Sequence, residues 1–263
     1  MIVLWLNPFD NRAHDFWSRF ITGHPGAARD VPDTLHRTDV VVHDLRLGIP
    51  PHPSQTIGLL WSYDHLLENP NPEAIARITM GVKTCARVIA PDTAMGSLYQ
   101  RLRPIDIIPL GVDTNTFHPQ HDRAGLRDLY GLPQARQVGF WCGTLEGYRG
   151  YNRLLRYAQN HPGTHWVLIF KNLCDPIKFP YRRTIFYDIG ATTMADLMTC
   201  SDFGLSTTLF NSLTTTEHEG IACELPWRSI NDSAKFNEAP NNDMAIQRWN
   251  NYAKEFTIWL SQK

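Results

Sequence analysis

The 263-residue chain has no apolar run approaching the roughly 18 residues that a membrane span needs. It has no surplus of charge either, since 25 basic and 26 acidic residues leave a net of -1. That balance excludes a histone-like basic protein but leaves room for a local basic cleft. Cysteine is scarce: Cys85, Cys142, Cys174, Cys200 and Cys223 are scattered, odd in number and never in Cys-x-x-Cys spacing. Reduced thiols in a cytoplasmic setting are expected, not a disulfide framework. The histidines fall in no His-Glu-x-x-His or paired Cys/His pattern, so no metal site is assigned. No Gly-x-Gly-x-x-Gly follows the first apolar run, which disfavours a dinucleotide dehydrogenase. Internal repeats and low-complexity tracts are missing too. The opening "MIVLWLNPFDNR" lacks a basic n-region, so it reads as a strand and not a signal peptide.

What is present is material for a core: 43% of the residues are apolar and 11% of the chain is aromatic. "MIVLWL", "DVVVHDL", "TIGLLWS", "RVIAP" and "DIIPL" are short apolar runs that fit strands covered on both faces, the habit of a parallel sheet. Between them, "NPEAIARITMGVKTCA" and "TAMGSLYQRL" have helical spacing, with Asn71-Pro72-Glu73 as a helix start. A second alternating series follows: "QVGFWCG", "GYNRLLRYAQNH", "HWVLIFK", "TIFYDIG", "TTMADLMTCS", "DFGLSTT" and the helix after Thr216. Alternation twice over predicts an α/β protein of two doubly wound, Rossmann-like halves. The join is placed in "GVDTNTFHPQHDRAG", where turn formers cluster, giving domains over 1–118 and 119–243. The closing helix, 244–263, carries Met244, Ile246, Trp249, Tyr252, Phe256 and Trp259 on one stripe and is expected to pack back on the first domain.

Within "TTTEHEGIACELPW" two carboxylates, Glu217 and Glu219, stand at a helix start. A helix dipole stabilises acidic residues there whatever else they do. A carboxylate in that place also accepts hydrogen bonds from sugar or ribose hydroxyls. "IIPLGVDTNTFHP" resembles the interdomain segment of retaining glycosyltransferases with the GT-B fold, and "EGIACELP" is similar to their "EAMACGLP" segment. In that superfamily the Glu holds the donor's ribose hydroxyls, so the resemblance selects Glu219 and not Glu217.

Further motifs resemble the DNA α-glucosyltransferases of T-even bacteriophages. "GTLEGYRG" has the spacing of their Gly-Arg-x-x-x-Trp-Lys-Gly, "SDFG" looks like Ser-Gly-Phe-Gly, "TEHEGIACE" resembles "THLELGACG", and "YDH" (63–65) looks like His-Asp-His. The likeness covers the second half best, from about Ile107 to Trp227. It implies a GT-B fold, two Rossmann-like domains facing a cleft, with a reduced N-terminal domain. It departs from the pattern in four places. The first Glu of the superfamily's pair falls on Asn211, the diphosphate Arg on Thr144, the Lys on Arg149, and the Gly before Leu-Pro on Glu224.

Three tasks follow for such an enzyme. The leaving diphosphate needs positive charge or helix amides, for which Gly143, Thr144 and Arg149 are the candidates, with Lys171, Arg182 or Arg183 compensating for the missing Arg. The donor's hydroxyls need Glu219 and Asn211, although Asn211 also reads as an ordinary loop residue. The acceptor needs a base or stabilising carboxylate. Asp64, flanked by His65, follows a strand at the sheet edge where ligands bind, and equally reads as a helix N-cap. Arg12, His14, Lys83, Arg101 and Arg103, with aromatics nearby, suit contact with a DNA backbone and a flipped base.

The expected function is transfer of a sugar from a nucleotide-sugar, a UDP-sugar above others, to a hydroxymethylated pyrimidine in double-stranded phage DNA, with no metal or further cofactor. The alternatives are a glycan, lipid or small-molecule acceptor, and a degenerate GT-B module that binds without turnover, suggested by Asn211 and Thr144.

Overall fold

The computed structural model describes residues 3–6, 40–45, 48–60, 71–108, 112–145, 150–170, 178–208 and 214–230. The chain divides into two compact units, Met1–Gly111 with Asn241–Lys263, and Val112–Pro240. The break precedes the expected join because Val112 and Phe117 already pack in the second unit's core. The anticipated closing helix lies outside the described residues.

The first unit holds β1 (Val3–Leu6), β2 (Val40–Asp44), β3 (Thr56–Leu59), β4 (Arg87–Ala90) and β5 (Asp106–Ile107). All pair in parallel, in the order β1-β2-β3-β4-β5. Helix α1 (Pro72–Thr84) starts where the sequence indicates. Asn71 Oδ1 accepts from the amides of Glu73 and Ala74 at 3.0 and 3.2 Å, and Pro72 needs no partner at the first helical position. Asp92 caps α2 (Thr93–Tyr99) through the Met95 amide at 2.8 Å. Both helices face a core of Leu45, Leu60, Ile78, Val82, Val88 and Met95. Among the described strands the order runs one way, without a reversal.

The second unit has such a reversal. Strands β6 (Val138–Gly143), β7 (His165–Phe170), β8 (Arg183–Tyr187), β9 (Phe203–Ser206) and β10 (Trp227–Ser229) form a parallel sheet ordered β10-β9-β6-β7-β8. The order reverses between β6 and β9. The apolar runs serve two cores at once, because successive side chains of a strand point to opposite faces. Val138, Phe140, Val167 and Ile169 join one core, with α5 (Ala191–Cys200) supplying Met194, Leu197 and Met198. Trp141, Trp166, Leu168 and Phe170 join the other, with α4 (Tyr151–Gln159) supplying Leu154 and Ala158. Each such side chain, fully buried, contributes on the order of 2 kcal/mol.

Two elements escape the sequence pattern. Helix α3 (Arg123–Leu129) buries only Arg127, so it has no apolar stripe to reveal it. Strand β10 spans just three residues. Helix α6 (Thr215–Ala222) joins β9 to β10 and packs on Trp227, whose indole Nε1 would lie 2.6 Å from a Cβ on Gly220. Glycine is required at 220 by that close approach.

Candidate functional site

Open parallel sheets bind ligands outside the carboxyl ends of their strands, where strand order reverses. In the second unit that place lies beyond Gly143 of β6 and Ser206 of β9. Thr207, just past β9 and 2% exposed, organises it. Its hydroxyl accepts from the Trp141 indole N–H at 2.8 Å, and its carbonyl accepts from Arg153 Nε at 2.7 Å. Gly150, the N-cap of α4, sits in the left-handed region at φ 80°. A Cβ there would lie 2.2 Å from the Thr207 carbonyl oxygen, so only glycine lets the start of α4 close against β9.

Among the described residues no side chain caps α4, and its first turn holds no acidic residue. Its leading amides and the positive end of its dipole therefore suit an anion. Arg153, in the same turn, adds a guanidinium. Neither Arg153 nor Thr207 is visible as a site residue in the sequence, because their meeting joins positions far apart in the chain.

At the same edge, α6 resolves the two carboxylates. Glu217 completes a capping box: its Oε2 accepts from the Thr214 amide at 2.6 Å, while the Glu217 amide donates to Thr214 Oγ1 at 3.3 Å. Glu219 lies two residues further in and is 4% exposed. Between them stands His218, whose Nδ1 is shut off from solvent without a hydrogen-bond partner. Burial pushes its pKa down to about 4. At the end of the helix the Cys223 thiol is pushed up to about 12 by burial, with the Glu219 charge adding to it.

Of the donor-side residues named from sequence, Gly143 ends β6, Thr144 follows it half-buried, and Glu219 lies buried within α6, the helix that follows β9. Arg149, Lys171 and Asn211 lie outside the described residues, as do Asp64, His65, Arg12 and His14 on the acceptor side.

Two of the three compensating cations and three of the acceptor ones lie among the described residues. Arg182 and Arg183 stand at the amino end of β8, the edge opposite the switch-point crevice. Lys83 lies in the last turn of α1, before β4 begins, and Arg101 lies between α2 and β5. Both are exposed at the amino end of the first sheet, because a crossover helix ends where the next strand starts. Arg103 is there too, and its guanidinium donates to the carbonyls of Val82 at 3.2 Å, Ala86 at 2.7 Å and Cys85. It closes the carbonyl end of α1, so it is engaged in the fold. "SDFG" has a structural task as well. Burial would raise the Asp202 pKa, but the Val138 amide and the Arg127 and Arg123 guanidiniums outweigh it and hold the carboxyl below its ordinary value.

Among the described residues no cluster of His, Cys, Asp and Glu could hold a metal ion, and no helix is long and apolar enough to cross a membrane.

No protein-family model and no curated protein matches this sequence. Solved structures do. The HepE protein of Anabaena, in a complex with UDP-glucose, matches with a TM-score of 0.69 at 12% identity, over 100% of this chain and 95% of its own. A glycosyltransferase from Rickettsia africae matches with a TM-score of 0.62 at 13% identity, covering 97% and 88%. Sucrose-phosphate synthase from Thermosynechococcus elongatus gives 0.62 at 12%, covering 85% and 69%. At such identities the likeness is one of fold. The chain has an α/β, GT-B fold with two parallel-sheet, Rossmann-like units.

Proposed function

We propose that the chain is a glycosyltransferase whose second unit binds a nucleotide-sugar donor, a UDP-sugar above others, at the crevice between β6 and β9. One conjunction carries this reading: the uncapped start of α4, closed on Thr207 through Gly150, shares a sheet edge with the buried carboxylate of Glu219. The leaving diphosphate gains negative charge in the transition state, and helix amides with a guanidinium stabilise that charge more than they stabilise the ground state. Arg153 and Arg149 supply the cations that Thr144 does not. Glu219 accepts the ribose hydroxyls, and Asn211 hydrogen-bonds the sugar. The UDP-glucose in the HepE complex supports the donor class.

On the acceptor side, Asp64 with His65 takes the role of base or stabilising carboxylate, with Arg12 and His14 nearby in sequence. The phage-like motifs support a hydroxymethylated pyrimidine of DNA as acceptor and retention of the sugar's configuration. A glycan, lipid or small-molecule acceptor is the second reading. It is favoured by the placement of Lys83, Arg101 and Arg103 at the amino edge of the first sheet, away from the ligand-bearing edge.

The test is incubation with a panel of nucleotide-sugars, first alone and then with DNA containing hydroxymethylcytosine or hydroxymethyluracil. UDP release from one sugar donor is the expected result, followed by a glycosylated nucleoside in mass spectrometry. Release without nucleoside modification would move the acceptor to the second reading. No release from any donor would leave a binding module.

A further inference from the structure

On the α4 face of the second sheet, away from the donor crevice, lies a groove of about 680 Å³. Its walls are the second half of α4, with Leu155, Arg156 and Gln159, and the segment leading into β8, with Lys178, Phe179, Tyr181 and Arg183. That size suits one small ligand, since pockets for such molecules run from about 300 to 1,000 Å³. The segment is anchored: Tyr151 Oη donates to the Lys178 carbonyl at 3.2 Å, and Phe179, 2% exposed, meets Tyr181 edge-on at 5.4 Å. The floor is therefore built, apolar and held in place.

Among the described residues the rim carries one sign of charge. In a chain with near-equal basic and acidic residues, neither Tyr151–Gln159 nor residues 178–187 contains an Asp before the strand's end or a Glu anywhere. Lys178, Arg156 and Arg183 are exposed, and among the described residues none of the three forms an ion pair. A purely structural rim would be expected to mix signs. Cations around an apolar floor match an anion joined to an apolar body. Simple phosphate would leave the floor in water, and a neutral apolar molecule would leave the cations unused.

We propose that this groove binds a single amphiphilic anion, a phosphate-headed molecule with an aliphatic or aromatic body. The head lies among Arg156, Lys178 and Arg183, and the body lies along Leu155 and Tyr181. The site is independent of the donor crevice, since its cations stand toward the amino end of β8.

Octyl phosphate, which stays monomeric at millimolar concentrations, is the probe, titrated calorimetrically into the full chain. One saturable site is expected, with inorganic phosphate and octyltrimethylammonium each at least tenfold weaker. The double variant Arg156→Glu, Arg183→Glu is expected to lose at least tenfold in octyl phosphate affinity, with its unfolding midpoint and its UDP affinity unchanged. Leu155→Asp tests the floor in the same way. Equal binding of the cationic amphiphile, equal binding of inorganic phosphate, or octyl phosphate affinity untouched by both variants would each overturn the proposal. UDP affinity, read in the same samples, reports separately on the donor site.

Discussion

The two edges of the second sheet handle polar groups in opposite ways. At the amino edge, charge is matched inside the fold. Arg127, 6% exposed, donates to the carbonyls of Cys200, Pro133, Gln134 and Arg136 and, at 2.8 Å, to Asp202. Asp202 in turn accepts from the Val138 amide at 2.6 Å and from Arg123. At the carboxyl edge, an indole N–H, a glycine and a guanidinium converge on Thr207 to aim a helix start at a crevice. Polar groups that are consumed by one another carry stability; polar groups that hold a helix end open carry ligand. If that division is right, substitutions at the two edges should separate folding from binding.

The largest effect is expected from Arg127→Ala. It strips several carbonyls of their donor and removes one of the two guanidiniums that pair with Asp202, which should lower stability by about 3 kcal/mol. Urea unfolding measures it, and UDP affinity of the folded protein should not move. A cost below about 1 kcal/mol would break the contrast at its amino side.

Acid should reach the two edges in succession. His218 has a native pKa near 4 against an ordinary 6.5, so between those values the unfolded chain binds a proton that the folded one refuses. Stability therefore falls as pH drops from 6.5 toward 4, by up to about 1.4 kcal/mol per pH unit, and this loss is complete below about 4. Asp202 acts in the next window. Its native value is depressed, so its contribution is present above the unfolded value of about 3.9 and is lost as pH falls through the native one. His218→Gln should flatten the first decline in a series of urea melts and leave the second.

Two glycines sharpen the comparison further. Gly131 and Gly150 both lie in the left-handed region, at φ 64° and 80°. A Cβ at Gly131 would meet nothing within 4 Å, whereas at Gly150 it would strike the Thr207 carbonyl. Gly131→Ala should cost about 1 kcal/mol of backbone strain and nothing in UDP affinity. Gly150→Ala should lower UDP affinity at least tenfold in calorimetry. Equal affinities in the two variants would remove the start of α4 from the site.

The smallest effect expected is a gain. Glu224 adopts φ 57° just past the end of α6, where glycine is the usual residue. Glu224→Gly should relieve about 1 kcal/mol of strain, seen as a raised unfolding midpoint with binding unchanged.

The strands and helices of both units were largely legible, because alternating apolar side chains feed two faces and the Asn71 cap has a strong local signature. The strand order was not, since nothing in a strand's own residues says which neighbour it pairs with. The family resemblance selected Glu219 over Glu217, and in the structure Glu217 is occupied with its cap. Arg103 misled because an exposed-looking Arg near an aromatic gives no hint that a helix ends beside it. Arg153 and Thr207 were missed for a related reason: the Thr207 carbonyl becomes a partner only when β9 is set next to β6.

Titration of UDP into the wild type, Glu217→Gln and Glu219→Gln tests the central claim most directly, with an unfolding curve on each protein. The donor-site account predicts micromolar-to-millimolar binding by the wild type. It also predicts at least a tenfold loss in Glu219→Gln with folding intact, and unchanged affinity but about 1 kcal/mol less stability in Glu217→Gln, the cost of a weakened cap. Wild-type affinity in a folded Glu219→Gln protein, or a loss of affinity that follows Glu217 instead, would contradict it.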